Sequence, residues 1–174
     1  DMWGTDPESR RFRPLLIDLV VAAAPTPAAR SGAAPHAPGA RWQAAACSQG
    51  VLITHAGVSA RYGGKLDREG TADPVRLVAL INEEFRAAVQ RELETAEWDD
   101  DAILGRSGPL WFRPYGDQLP LPGVRQVVGH TPPQPGLEDS GFYMVDPCVW
   151  MALDHPPQLR YAVIEDGEVQ VVTA

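Results

Sequence analysis

The segment PVRLVALINEEFRAAVQREL, residues 74 to 93, constrains the fold more than any other stretch of the chain. Leu77, Leu80, Ile81, Phe85, Ala88, Val89 and Leu93 recur every three or four residues, and Glu83, Arg86, Gln90 and Arg91 fall between them. That period belongs to a helix with one apolar face. Asp73 is placed to cap it, and Pro74 suits its first turn. A helix that is apolar on one side must lay that side on another element. The partners that the sequence offers are short strands. WQAAACSQGVLITH reads as two strands across a Ser-Gln-Gly turn. RQVVGH reads as a third, GFYMVDPCVWMAL follows it, and LRYAVIEDGEVQVV reads as a hairpin around Asp166 and Gly167.

Upstream, residues 7 to 24 are predicted to form another helix. Asp6 is its cap, Pro7 its first turn, and Phe12, Leu15, Leu16, Leu19 and Val20 its apolar spacing. Pro25 and Pro27 end it. Residues 25 to 41 are a Pro/Ala-rich loop, in which His36 reads as a solvated side chain. No internal repeat is visible. Helix, strand pair, helix and then several strands make a mixed α/β chain.

Bulk properties exclude several function classes. A chain of 174 residues suffices for one domain with a real core. No apolar run reaches the ~18–20 residues needed to cross a membrane. The best candidate, LLIDLVVAAA, is interrupted by Asp18 and follows Arg10, Arg11 and Arg13. A signal-peptide reading of that pattern is opposed by Asp1, Asp6 and Glu8, which come first. The net charge of −8 argues against a general affinity for nucleic acid or anionic membranes. A phosphate-bearing substrate stays compatible, because a metal ion or an arginine reverses the field locally. Cys47 and Cys148 form no CxxC pair, so a cysteine zinc site is not expected. Two buried thiols fit a cytoplasmic protein; a single disulfide is the other reading. The acidic stretch ETAEWDDDA, residues 94 to 102, reads as a solvated loop, with a cation site as the alternative.

Two histidines share a context. His55 ends the run Val51, Leu52, Ile53, Thr54, and His130 follows Val127, Val128 and Gly129. A neutral imidazole is a good ligand for first-row divalent metals. A strand tip holds it rigidly, and the small neighbours Ala56, Gly57 and Gly129 allow a close approach. The alternative is that each is a hydrogen-bonded structural histidine. Arg113 stands between Trp111-Phe112 and Pro114. A guanidinium in such a place suits bidentate phosphate binding, and the alternative is a surface arginine packing its stem on Trp111.

LITHAGVS, LWFRP, VVGHTP and YMVDP, in that order, resemble the second half of the calcineurin-like metallophosphoesterases. The nearest subgroup is the phosphoprotein-phosphatase-like branch, which includes bacterial serine/threonine phosphatases and diadenosine tetraphosphate hydrolases. The resemblance covers roughly residues 42 to 174. It implies part of a four-layer α/β/β/α sandwich with a pair of divalent metals at the strand ends, Mn first and Fe or Zn as further candidates. His55 and His130 would be ligands of the second metal. Arg113 would be the catalytic arginine that holds the substrate phosphate. Asp146 would support the histidine loop, although the chain reads Asp146-Pro147-Cys148 where the family has Asp-Thr-Gly or Asp-Ser-Gly.

The implied activity is phosphoester hydrolysis in the cytoplasm. Its substrate would be a phosphorylated small molecule, a dinucleoside polyphosphate or a phosphoprotein. Specificity would come from loops, the Pro-rich residues 25 to 41 and the ARYGGKLDREG segment, and from the helix after them.

The family's earlier motifs, Gly-Asp-x-His, Gly-Asp-x-x-Asp-Arg-Gly and Gly-Asn-His-Asp/Glu, do not occur in the chain; Gly116-Asp117 lacks the histidine. The resemblance therefore leads one to expect a longer parent or a complementary N-terminal half, with Asp1 the last letter of a Gly-Asn-His-Asp motif. On that expectation residues 1 to 174 are the C-terminal portion of a single phosphoesterase domain, a weak metal binder and nearly inactive alone. Exposed strand edges would then favour self-association. Two further readings stand beside it: a non-catalytic phosphate-ligand-binding or regulatory module on the same fold, and an unrelated mixed α/β protein.

Overall fold

A run of short strands can make only a small sheet, and a small sheet needs strong side-chain clamps to hold its register. The structure, a computed structural model, shows such an arrangement. It describes residues 43–68, 70, 72–95, 103, 105, 107–115, 118–146 and 159–173, with the side chains of 92–95 left aside. The expected helix over 7–24, the loop 25–41 with His36, the acidic patch beyond Thr95, Gly116-Asp117 and Cys148 lie outside the described residues.

Strands β1 (Ala45–Ser48), β2 (Val51–Thr54), β3 (Gln126–Val128) and β4 (Phe142–Met144) form one sheet in that spatial order. β1 and β2 are antiparallel across Gln49-Gly50, the turn read from Ser-Gln-Gly. Both turn residues are left-handed, with φ 49 and 78, as a two-residue hairpin turn requires. β2, β3 and β4 run parallel, with Thr54, Val128 and Met144 level at their ends. The chain is thus mixed α/β with a mixed sheet.

Helix α1 (Ala60–Leu66) falls in the ARYGGKLDREG segment that the sequence presents as a loop. Gly63 and Gly64 lower the helix propensity and hide it. Ser59 makes it visible in retrospect: its side chain accepts the Tyr62 N–H at 3.0 Å as an N-cap.

Helix α2 (Pro74–Thr95) appears where its periodicity puts it. Asp73 caps it, its carboxylate accepting from Val75 N–H at 3.0 Å. Leu77, Ile81, Phe85 and Ala88 are buried, while Glu83, Arg86, Gln90 and Arg91 are exposed. Burying each of the three large residues contributes roughly 1.5–3 kcal/mol. α2 lies against β1 and β2. The link is polar as well as apolar. Buried Asn82 accepts from the backbone N–H of Ala44 and of Ala45 at 2.7 and 3.1 Å, and donates to Ala45 C=O at 2.9 Å. One amide thus holds the edge strand on the helix.

A second cluster joins Ala56, Phe112, Val128, Phe142 and Met144, with Leu137 packed against it. The rings of Phe112 and Phe142 meet edge to face at 6.0 Å. This cluster ties the segment before Arg113 to the parallel strands β3 and β4.

Strands β5 (Arg160–Glu165) and β6 (Glu168–Thr173) form the expected hairpin, with φ 51 at Asp166 and 77 at Gly167. Its turn rests on the β1–β2 turn. Gln49 donates to Ile164 C=O at 3.3 Å and accepts from Gly167 N–H at 3.2 Å. Arg125 donates to Gly167 C=O and pairs with Glu168 at 2.9 Å. No helix among the described residues is long and apolar enough to cross a membrane.

Candidate functional site at the strand ends

Parallel strands bring their carboxyl ends to one edge, and ligands of open α/β sheets bind there. Three predicted site residues emerge at that edge. His55 directly follows β2, His130 lies two residues past β3, and Asp146 two residues past β4. Backbone bonds carry the pairing just beyond the strands. Gly129 N–H donates to His55 C=O at 2.9 Å, and Val145 N–H to Val128 C=O at 2.8 Å.

The result is a close meeting of the two imidazole rings. Their ring centroids are 4.8 Å apart, tilted by 57°. The rings of Trp111 and His130 form a T-shaped pair, with centroids 5.4 Å apart and planes at 86°.

His130 occupies an unusual backbone position. Its φ is 58, and Thr131 N–H donates to Gly129 C=O at 2.6 Å, closing a three-residue turn around it. Left-handed backbone at a residue other than glycine is uncommon and is found preferentially at functional sites. The imidazole of His130 packs against the rings of His55 and Trp111. Its Nε2 is buried with no hydrogen-bond partner, and so is Oγ1 of Thr131. Buried polar atoms are almost always satisfied, so two adjacent orphans are a chemical statement about the site.

Both imidazoles are held neutral. Burial lowers the His55 pKa, and Asp146 opposes it without reversing it. His55 keeps one side toward solvent, yet the packed surroundings of the ring prevail. His130 is pushed down to about 4, first by burial, then by His55 and by the Arg113 guanidinium. Arg113 therefore lies within electrostatic reach of His130. It is half-buried, on a segment fixed by Ala56 N–H donating to Pro109 C=O at 2.7 Å and by fully buried Phe112. Trp111 faces His130 and Phe112 enters the core.

The loop that follows His55 is clamped on every side. Thr54 Oγ1 accepts from Gly57 N–H at 2.9 Å. Gln126, fully buried, accepts from Val58 N–H at 2.7 Å and donates to Val58 C=O at 3.1 Å. Gly57 has φ 99, and a Cβ there would lie 2.5 and 2.6 Å from ring atoms of Phe142. The close approach expected of the small residues is thus located at Gly57. At Gly129 a Cβ would stand an ordinary 3.7 Å from His55 C=O, so packing does not demand glycine at that position.

Sequence reasoning singled out His55, His130, Arg113 and Asp146; His55, His130 and Asp146 lie just past the ends of β2, β3 and β4, and Arg113 is within electrostatic reach of His130. That reasoning missed Thr131, and it gave Trp111 only the task of supporting an arginine stem. It did not single out Gln126, because a glutamine in a strand has no sequence signal for a clamp onto a distant loop.

Two neutral imidazoles, one with an orphaned nitrogen, suit a divalent metal ion. Among the described residues no group of three or more His, Cys, Asp and Glu is assembled that could hold one. The chain matches no protein family, no curated protein and no solved structure.

Proposed function

We propose that the chain supplies part of a metal-dependent phosphoester hydrolase, serine/threonine phosphatase-like or dinucleoside tetraphosphatase-like. One observation carries the reading: two neutral imidazoles meet at the ends of parallel strands, one with a buried unpartnered Nε2, beside an arginine. His55 and His130 would hold one ion of a divalent pair, Mn in the first instance, or Fe or Zn. When bound, such a pair polarises a phosphoryl group and makes water a stronger nucleophile at neutral pH. Arg113 would bind the phosphate oxygens and offset the charge that develops on them. Asp146 would support His55, whose pKa it raises against burial.

The other ligands would come from residues beyond those described, in this reading from a first half of the domain on a longer parent or a complementary chain. β1–β4 and β5–β6 would then belong to the two sheets of a four-layer α/β/β/α sandwich, at work in the cytoplasm. A phosphate-ligand-binding module without turnover is the second reading, and the missing three-donor group among the described residues favours it.

The test uses the polypeptide that carries this chain in its native host. Mn²⁺-dependent hydrolysis of p-nitrophenyl phosphate should fall at least 100-fold in His55→Ala and in His130→Ala. Arg113→Ala should weaken inhibition by inorganic phosphate. Full hydrolysis by either histidine variant would refute the assignment. Phosphate binding that needs Arg113, with no hydrolysis by the wild type, would favour the binding module.

A further inference from the structure

A sheet edge is a row of unpaired N–H and C=O groups, and proteins cover or interrupt their edges. The four-stranded sheet meets this need on both sides. At β1 the outward N–H and C=O of Ala45 bond to the Asn82 amide, and at β4 the outward Phe142 N–H donates to Leu137 C=O at 3.1 Å. The β5–β6 hairpin has unequal edges. Its two-residue turn makes Glu165 and Glu168 a hydrogen-bonded pair, so the outward groups belong to Arg160, Ala162 and Ile164 on β5 and to Val169, Val171 and Thr173 on β6. Ile164 C=O accepts from Gln49 Nε2 at 3.3 Å, which agrees with that assignment and sets the β5 edge against the β1–β2 turn. On β6 the outward backbone groups have no hydrogen-bond partner among the described residues. Nothing in the strand deters one. EVQVVT contains no proline, lysine or glycine, and it pairs with β5 without a bulge. Val169 and Val171 are only half-buried, as are Ala162 and Ile164 on the same face. A two-stranded hairpin is marginal by itself and gains from further strands.

We propose that β6 pairs antiparallel with β6 of a second copy of this chain, about a two-fold axis at Val171. The proposal is independent of the phosphoester reading. This register uses every outward group of the strand. Val171 faces Val171, Val169 faces Thr173 on either side, and each such pair exchanges both of its backbone bonds. A register centred on Gln170 would leave Thr173 unpaired. β-Branched side chains meet β-branched side chains in all of these pairs, a favourable cross-strand combination. Glu168, the one charged residue of β6, pairs with Arg125 at 2.9 Å and falls outside the facing pairs. Two chains of net charge −8 therefore meet without like charges opposed. The two-fold keeps Ala162, Ile164, Val169 and Val171 of both copies on one face of a joint sheet. The contact is isologous, and Gln49 occupies the β5 edge at Ile164, so assembly stops at two copies.

Sedimentation velocity over a concentration series, on the polypeptide that carries this chain in its native host, is the test. The wild type should dimerise with a Kd in the micromolar range, because one strand edge is a small interface. Val171→Pro removes an N–H that makes no bond within the hairpin, at an edge position where proline is tolerated. It should weaken the dimer about tenfold or more. If circular dichroism shows that this variant does not fold, Val171→Lys replaces it with the same expectation, since it sets two like charges face to face at the two-fold. Val169→Lys combined with Thr173→Glu sets opposite charges against each other in both outer pairs. This double variant should dimerise at least as tightly as the wild type at low salt and lose any gain as salt rises. A monomeric wild type overturns the proposal, and so does a dimer that substitution at Val171 leaves unchanged. Loss of the dimer in the double variant overturns the register. A monomer whose urea midpoint falls in Val171→Pro assigns the edge to another strand of the same polypeptide and overturns the second copy as its partner.

Discussion

Gly57→Ala is the sharpest structural test of the strand-end site. The glycine lies two residues past His55, at φ 99. A Cβ there meets Phe142 Cε2 and Cζ at 2.5 and 2.6 Å, and Val128 Cγ1 at 3.3 Å. Phe142 is fully buried and braced by Phe112, so the ring has little room to retreat. Placing an L-residue in left-handed backbone costs roughly 1–2 kcal/mol. Forcing a packed core apart adds roughly 1–3 kcal/mol. The variant should therefore lose about 2–5 kcal/mol. Urea unfolding reads this as a lower midpoint at constant slope, a drop on the order of 1–2 M or more for a slope of roughly 1–3 kcal/mol/M. Gly64→Ala is the control. Gly64 is inside α1 with nothing within 4 Å of its would-be Cβ. It should gain up to about 1 kcal/mol from helix propensity. If Gly57→Ala unfolds with the wild type, or if the two variants shift alike, the packing described around His55 is wrong.

Other clamps and charges give further expectations. Gln126→Leu removes both bonds to Val58 and strands a buried N–H, which should cost about 1–3 kcal/mol by the same urea assay. Asn82→Ala should release the edge strand, and faster hydrogen exchange at Ala44 and Ala45 would register it before global unfolding does. Stability should also fall as pH drops from about 6.5 toward about 4. The folded pKa of His130 lies below its unfolded value of 6.5, so the unfolded state takes up the proton first. The stabilisation is complete above 6.5 and is lost as pH falls through 4; lowered His55 acts in the same direction. Part of the imidazole meets solvent, which reduces the effect to roughly 1–2 kcal/mol. His130→Gln should flatten that slope, and an unchanged pH profile in the variant would contradict the environment described for His130.

The amphipathic helix, its Asp73 cap and both two-residue turns were legible because each depends on residues close in sequence. Helical period, an N-cap and left-handed turn residues act over a few positions, so the chain carries them openly. His55, His130 and Arg113 stood out individually because their residue types are rare at the ends of apolar runs. Tertiary structure alone decided that the two histidines meet and that Arg113 is within electrostatic reach of His130. Parallel pairing of β2 with β3, and of β3 with β4, brings His55 level with residues more than 70 positions away, and no local pattern encodes that register. It also decided the charge states, since burial and the neighbouring Arg113 depress His130 only once the fold has assembled them. The clamps of Asn82 and Gln126 belong to the same class. Amide side chains declare their partners only when distant backbone, stripped of water, has no other hydrogen bond to make.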